Sequence, residues 1–251
     1  MKSEQENTPN ELVRLNKYIA DKGIASRRKA DQLILDGLVK LNGTKVTELG
    51  VKVNPATDKI EISNTVLKND AKQLVYIKLN KPYGYECTKN PPKGSKSIYE
   101  LLPENLALFS IGRLDKNSEG LILMTNDGRL AFKLTHPSFE KEKEYEVTVD
   151  RNIPDGHLKH LGEGVMILGK MTAPCKVERL SQRKFSIVLK EGMNRQIRRM
   201  CRKLGYRVHK LKRNRIGDVH LAGLAFGDYS RLVGPELSFV VKLANSGKDA
   251  G

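Results

Sequence analysis

The 251-residue chain contains no tryptophan, only three cysteines, and aromatic residues at 6%. The missing tryptophan bears on no function. Cys87, Cys175 and Cys201 are odd in number and far apart. A disulfide framework or a zinc site needs paired or closer spacing, so reduced thiols in a cytoplasm are expected. No apolar run approaches the roughly 20 residues of a spanning helix, and residues 1–10 are polar, without the apolar centre of a secretion signal. No membrane partner is therefore expected. The five histidines, including His157 and His160, form no credible ligand set or triad, and no metal is expected.

Acidic residues are also in short supply. Lys+Arg number 45 against 29 Asp+Glu, a net charge of +16, with a pI near 9.7. Such an excess draws polyanions, so nucleic acid is the first partner to consider; an anionic membrane surface, the rival, is set aside by the missing apolar run. The hydrophobic fraction of 39% and charged fraction of 29% fit a soluble globular protein. The length suits one sizeable core, or a core plus a small appended module; a monomer is expected.

Along the chain, residues 1–11 read as a disordered lead and residues 12–64 as a self-contained unit. A helix is expected over 14–21, stopping at Gly23, and a second one capped by Ser26. Ala30, Leu33 and Ile34 share a face of the second helix, with Gly37 just past its end. A hairpin over Val39–Leu41 and Lys45–Val46 turns at Asn42-Gly43, a pair suited to positive φ. Ile60 and Ile62 mark a further strand, and 65–73 is a polar linker. The basic residues of this unit, among them Arg14, Lys17, Arg27, Arg28 and Lys29, form either a solvated face or a platform for phosphates. The string RLNKYIADKGIASRRKADQLILDGLVKLNGTKV resembles the RNA-binding module named after small-subunit ribosomal protein S four. That resemblance implies the platform, with those five residues contacting RNA.

Residues 74–241 read as a mixed α+β unit, and 242–251 as a flexible tail. Strands are expected at 74–79, 108–111, 121–125, 145–149 and 185–189, with helices near 154–161 and after Asn194. The run Gly94-Ser-Lys-Ser97 lacks the glycine and Gly-Lys pair of a phosphate loop. In Ile111-Gly-Arg-Leu-Asp115, an apolar strand ends and an acid follows on the turn before the next strand. Such an acid is either a catalytic carboxylate or an ordinary turn residue. Tyr145, by position alone, is a strand tyrosine packed on a core. After Asn194, which is expected to cap a helix, Ile197, Met200, Cys201 and Leu204 recur at helical spacing. On that wheel Arg198 borders the apolar stripe, while Arg195, Arg199 and Arg202 lie opposite it. No acid stands between Gly192 and Asp218, a stretch that also holds Arg213 and Arg215, so an RNA-facing surface is favoured.

Three strings carry a wider resemblance: GRLDKNSEGLILMTNDG from Gly112, Lys143-Glu-Tyr145-Glu-Val147, and Glu191-Gly-Met-Asn-Arg-Gln-Ile-Arg-Arg-Met200. Together with Leu211-Lys-Arg213-Asn-Arg215-Ile-Gly217, they resemble the RsuA/RluB/RluE/RluF family of pseudouridine synthases, nearest its RluF-type members. The resemblance implies a catalytic domain on a mixed, mainly antiparallel sheet with flanking helices. It implies Asp115 as catalytic aspartate, Tyr145 stacking on the target base, and Arg198 paired with Asp115. Arg113 is to contact RNA or support the loop, Leu211 is to pack on the flipped base, and Gly112 and Gly120 are to set the backbone. The expected activity isomerises a uridine of large-subunit ribosomal RNA, with a tRNA as a possible second substrate, and needs no cofactor. A catalytically silent RNA-binding or ribosome-assembly factor on the same scaffold is the alternative; loss of the aspartate, tyrosine or arginine would mark it, and all three are present.

Overall fold

The computed structural model describes residues 12–22, 24–25, 27–63, 73–103, 106, 108–135 and 141–246. The lead at 1–11, Gly23, the Ser26 cap and the linker up to residue 72 lie outside the described residues. Two compact units divide at Gln73 and Leu74.

In the first unit, β1 (Val13–Arg14) runs into α1 (Leu15–Asp21), followed by α2 (Arg27–Leu35). The strands β2 (Val39–Leu41), β3 (Thr44–Val46), β4 (Lys52–Val53) and β5 (Ile60–Ile62) come next. Antiparallel pairing gives the order β3-β2-β5, with β1 beside β4. Asn42 and Gly43 take φ of 52° and 82°, the turn their chemistry demands. Leu15 and Ile19 of α1 meet Ala30, Leu33 and Ile34 of α2 and Val39 and Val53 of the strands in one buried cluster. The small core leaves the basic side chains outside: Arg14, Lys17, Arg27, Arg28 and Lys29 are all exposed.

The second unit is built on one large sheet. Its early elements are β6 (Tyr76–Lys81), β7 (Tyr85–Glu86), β8 (Lys96–Ser97), β9 (Phe109–Ile111), β10 (Glu119–Thr125) and α3 (Gly128–Thr135). β11 (Lys143–Val149), α4 (Asp155–Glu163), the short hairpin β12 (Met166–Ile167) and β13 (Lys170–Met171), β14 (Lys176–Ser181) and β15 (Lys184–Leu189) follow. The chain closes with α5 (Gln196–Lys203), β16 (Val208–Ile216), β17 (Val219–His220), β18 (Tyr229–Arg231) and α6 (Gly234–Asn245). The sheet order is β14-β15-β11-β16-β10-β6-β18. Along it the neighbours are antiparallel except β10 and β16, which run parallel.

Every residue of β10 is buried. Successive side chains of a strand point to opposite faces, and here both faces are covered. Leu121 and Leu123 enter a cluster with Val240 and Leu243 of α6 and Leu130 of α3. Ile122 and Met124 enter another with Ile77, Leu79 and Ile98. A third cluster, around Phe185 and Ile187, takes the apolar stripe of α5 and Leu158 and Leu161 of α4.

Several elements differ from the sequence-based reading, including strands β14, β16 and β18, which lie outside the expected strands. α3 is not among the expected helices: the Asp127 carboxylate accepts the backbone N–H of Arg129 at 3.0 Å and of Leu130 at 3.4 Å, capping it. The flexible tail expected from residue 242 begins too early, because α6 continues to Asn245 with Leu243 and Ala244 buried. Residues 247–251 lie outside the described residues.

Candidate active site

The centre of the site is the loop joining β9 to β10. Gly112, at φ 71°, turns the chain out of β9. Gly120, at φ 101°, brings it back where β10 crosses β16 so closely that a Cβ would lie 2.3 Å from the carbonyl oxygen of Arg213. No other residue type fits both the conformation and the space.

Between these glycines the loop backbone is clamped from three sides. The side chain of Lys81, with no exposed surface, donates from Nζ to the carbonyls of Ser118 at 2.6 Å, Pro82 at 2.9 Å and Lys116 at 3.3 Å. Arg198 donates to the carbonyls of Asn117 and Val208 and, at 3.4 Å, to Ser118 Oγ. The Cys87 thiol lies 3.4 Å from both the N–H and the carbonyl of Leu114. Burial pushes the Lys81 ammonium down to about 8, against the pull of Cys87, Glu119 and Asp115. Burial also raises the Cys87 thiol, which stays protonated and unreactive near neutral pH.

Asp115 projects from this loop into a cavity of about 580 Å³ whose lining includes Arg113, Tyr145, Leu211, Arg195 and Met193. Arg195 Nη1 stands 3.3 Å from Asp115 Oδ2. Tyr145, on β11 between Ile187 of β15 and Arg213 of β16, packs its ring on the cluster that contains Leu211 and Ile197. Its hydroxyl has no hydrogen-bond partner among the described residues. A carboxylate with a cation, an aromatic ring with an unengaged hydroxyl, and an apolar wall thus converge on one space.

The structure re-assigns several expected partners. Arg198 makes no ion pair with Asp115; it grips the loop that carries the aspartate, and Arg195 makes the pair instead. The helical wheel misplaces Arg195 because α5 begins only at Gln196. Arg195 itself sits in the left-handed region, φ 49° and ψ 36°, which turns its side chain toward the cavity. Asn194 does not cap α5 through its side chain; its amide oxygen accepts from Arg199 Nη2 at 3.0 Å. The start of α5 is tied down by Gln196, which donates to Glu191 at 2.6 Å and accepts the Met193 N–H at 3.0 Å.

The expected RNA-facing surface also shrinks. Arg213 is buried, 3% exposed, and donates from Nε to the Leu121 carbonyl at 2.7 Å. Arg215 pairs with Glu144 at 2.9 Å and Glu142 at 3.0 Å. Neither is placed to meet phosphates: Arg213 is buried against β10, and Glu144 at the start of β11 and Glu142 just before it occupy Arg215. Arg113 and Arg202 are exposed and Arg199 is half-buried. Lys81 is the functional residue that the sequence reading omits. Its signal is a lysine at the last position of a strand, directly before Pro82 and the turn at Gly84.

No group of three or more metal-ligating side chains is assembled among the described residues, and no helix among them is long and apolar enough to cross a membrane.

Comparison with known proteins bears on both units. Residues 75–203 match the RNA pseudouridylate synthase family, and residues 13–59 match the S4 domain. The dual-specificity RNA pseudouridine synthase RluF of Escherichia coli O157:H7 is 43% identical over 244 residues, covering 96% of this chain and 83% of that protein. The ribosomal large subunit pseudouridine synthase B of Bacillus subtilis strain 168 is 41% identical over 248 residues, covering 95% of this chain and 100% of its own. A crystal structure of a pseudouridylate synthase superposes with a TM-score of 0.67 at 33% identity, over 92% of this chain and 99% of that one.

Proposed function

The chain belongs to the RNA pseudouridylate synthase family, and we propose that it isomerises a uridine of large-subunit ribosomal RNA in the Asp115 cavity, acting as a cytoplasmic monomer. The observation that carries this reading is the convergence of Asp115, Arg195 and the Tyr145 hydroxyl on one cavity.

The reaction breaks the C1′–N1 glycosidic bond, turns the uracil and rejoins it through C5, with the C5 proton ending on N1 or solvent. It is redox-neutral and needs no external acceptor, so this chemistry calls for no cofactor. The target base must first leave its stack, at a cost of a few kcal/mol, and Leu211 and Tyr145 offer it an apolar wall and a ring to lie on. Asp115 acts at the sugar, whether by attack at C1′ or by removing a ribose proton; either role needs a negative carboxylate held at a fixed place. Arg195 complements that charge. Arg198 and Lys81 fix the loop, so they are positioning residues for this chemistry rather than reacting groups. Tyr145 relays the C5 proton in the last step, its hydroxyl oxygen accepting it, directly or through water, as the hydroxyl proton passes to N1 or solvent.

Arg113, Arg199 and Arg202 on this unit, and Arg14, Lys17, Arg27, Arg28 and Lys29 on the N-terminal unit, bind the RNA backbone. The exposure of all but the half-buried Arg199 supports that role. A tRNA as second substrate rests on the resemblance to dual-specificity relatives alone.

The test is to map pseudouridines in total RNA from cells with the protein, without it, and with the Asp115→Asn variant. One large-subunit position should be modified only with the wild type, while Asp115→Asn still binds the RNA. An unchanged pseudouridine map on deletion would remove the proposed substrate.

A further inference from the structure

A second groove, of about 560 Å³, lies on the other side of Arg195 from Asp115, between the β12–β13 hairpin and α5. Met166, Ile167 and Leu168 form one wall. The other is wholly cationic, from Arg195, Arg198, Arg199, Arg202 and Lys203, with no acid in the lining. The size is that of sites holding one small organic group.

The hairpin tip is built at some cost. Leu168 and Gly169 both take positive φ, 50° and 74°, as a two-residue turn requires. Asparagine or glycine suits the first position; a leucine there is strained. The same side chain gains little from burial, being 57% exposed, and Met166 and Met171 beside it are 47% and 54% exposed. Strain held at an exposed apolar residue points to a contact made with something else. On the facing wall, the side chains of Arg202 and Lys203 have no hydrogen bond or ion pair among the described residues.

We infer that this groove is a second nucleotide subsite, in which a base flanking the target uridine leaves its stack and lies against Leu168 and Met166 while its phosphate is held by Arg202 and Lys203. An apolar wall facing unneutralised cations matches a nucleotide, which has an apolar base face at one end and a fixed negative charge at the other. Arg195 lines both the groove and the Asp115 cavity, so a base seated here presses on the residue that complements the catalytic carboxylate. The inference rests on the proposed RNA substrate, and it makes the hairpin a determinant of which uridine is presented.

The test couples the hairpin to the RNA. Leu168→Asn removes the apolar wall while relieving the strained turn, so the fold is retained. Binding is measured with an rRNA stem-loop carrying the mapped uridine, in the Asp115→Asn background, with abasic sites scanned over the flanking positions. One abasic site should weaken binding about ten-fold, as loss of a stacked base does. Leu168→Asn should weaken it by a similar factor, and the two together by no more than either alone. Losses that multiply at every position overturn the subsite. So does a Leu168→Asn defect confined to whole large-subunit particles, which would give the groove to a protein. Product formation by the wild type reads the proposed function separately, since the coupling is measured on binding alone.

Discussion

Arg195 and Asp115 meet at 3.3 Å across the mouth of the cavity, although Arg195 lies outside the helix whose periodicity assigns it to the opposite side. Arg198, one turn into that helix, holds the backbone just beyond the aspartate. The two arginines therefore divide the work, one facing the charge and the other the frame around it.

That division separates their variants. Arg195→Ala removes a partly exposed ion pair, worth no more than about 1 kcal/mol to the fold, so thermal stability should barely move. Its single-turnover rate at saturating RNA should fall at least ten-fold, about 1.4 kcal/mol of barrier, with Arg195→Lys recovering only part. Arg198→Ala strips donors from two backbone carbonyls and should lower both rate and stability, the latter by about 1–3 kcal/mol. Paired melting curves and single-turnover rates decide it; equal melting losses for the two would refute the division.

Tyr145→Phe should fold like the wild type, because the hydroxyl contributes no hydrogen bond among the described residues and the ring remains. Turnover should stop after glycosidic cleavage, before the C5 proton is lost. Wild-type yield of finished pseudouridine from this variant would assign the proton to another base.

Lys81 gives a pH signature. Its folded ammonium is held near 8 while the ordinary value is 10.5. Between those values the unfolded chain carries a proton that the folded chain lacks, so wild-type stability gains with rising pH, by up to about 3 kcal/mol from this group. Lys81→Met has no such proton. Urea unfolding of both proteins at pH 7 to 10 should show the wild type gaining on the variant across that window, and parallel curves would mean that the buried lysine is not strained by its charge.

The N-terminal unit should act through phosphates. Replacing Arg27 and Arg28 by alanine should weaken RNA binding and reduce the slope of log affinity against log salt by about one to two units. Single-turnover chemistry at saturating RNA should change little. A full salt slope in the double variant would return these arginines to a solvated face.

Local chemistry was readable from the chain wherever neighbours in sequence are neighbours in space. The Asn42-Gly43 turn, the α2 face of Ala30, Leu33 and Ile34, and the stripe of Ile197, Met200 and Cys201 all belong to that class. Partnerships across the sheet were not. Arg213 and Arg215 look like a basic surface until the start of β11 and the residue before it supply Glu144 and Glu142 and β10 supplies the Leu121 carbonyl. Arg195 escaped because a single left-handed residue ahead of a helix breaks the wheel without altering the periodicity. The helix after Asn126 was hidden by a different cause: Asp127 reads as part of an active-site string, and its work is to cap α3 and accept the Tyr76 hydroxyl at 2.8 Å.

The parallel contact of β10 with β16 sets the order in which the molecule matures. The bond from Arg213 to the Leu121 carbonyl spans 92 positions, and the loop bearing Asp115 is gripped by Lys81 from before it and by Arg198 from after it. Closing so long a loop is slow compared with forming local helices and hairpins. On the ribosome, the Asp115 carboxylate is therefore made early and fixed late, and a chain arrested before β16 emerges carries the aspartate without the walls of its cavity.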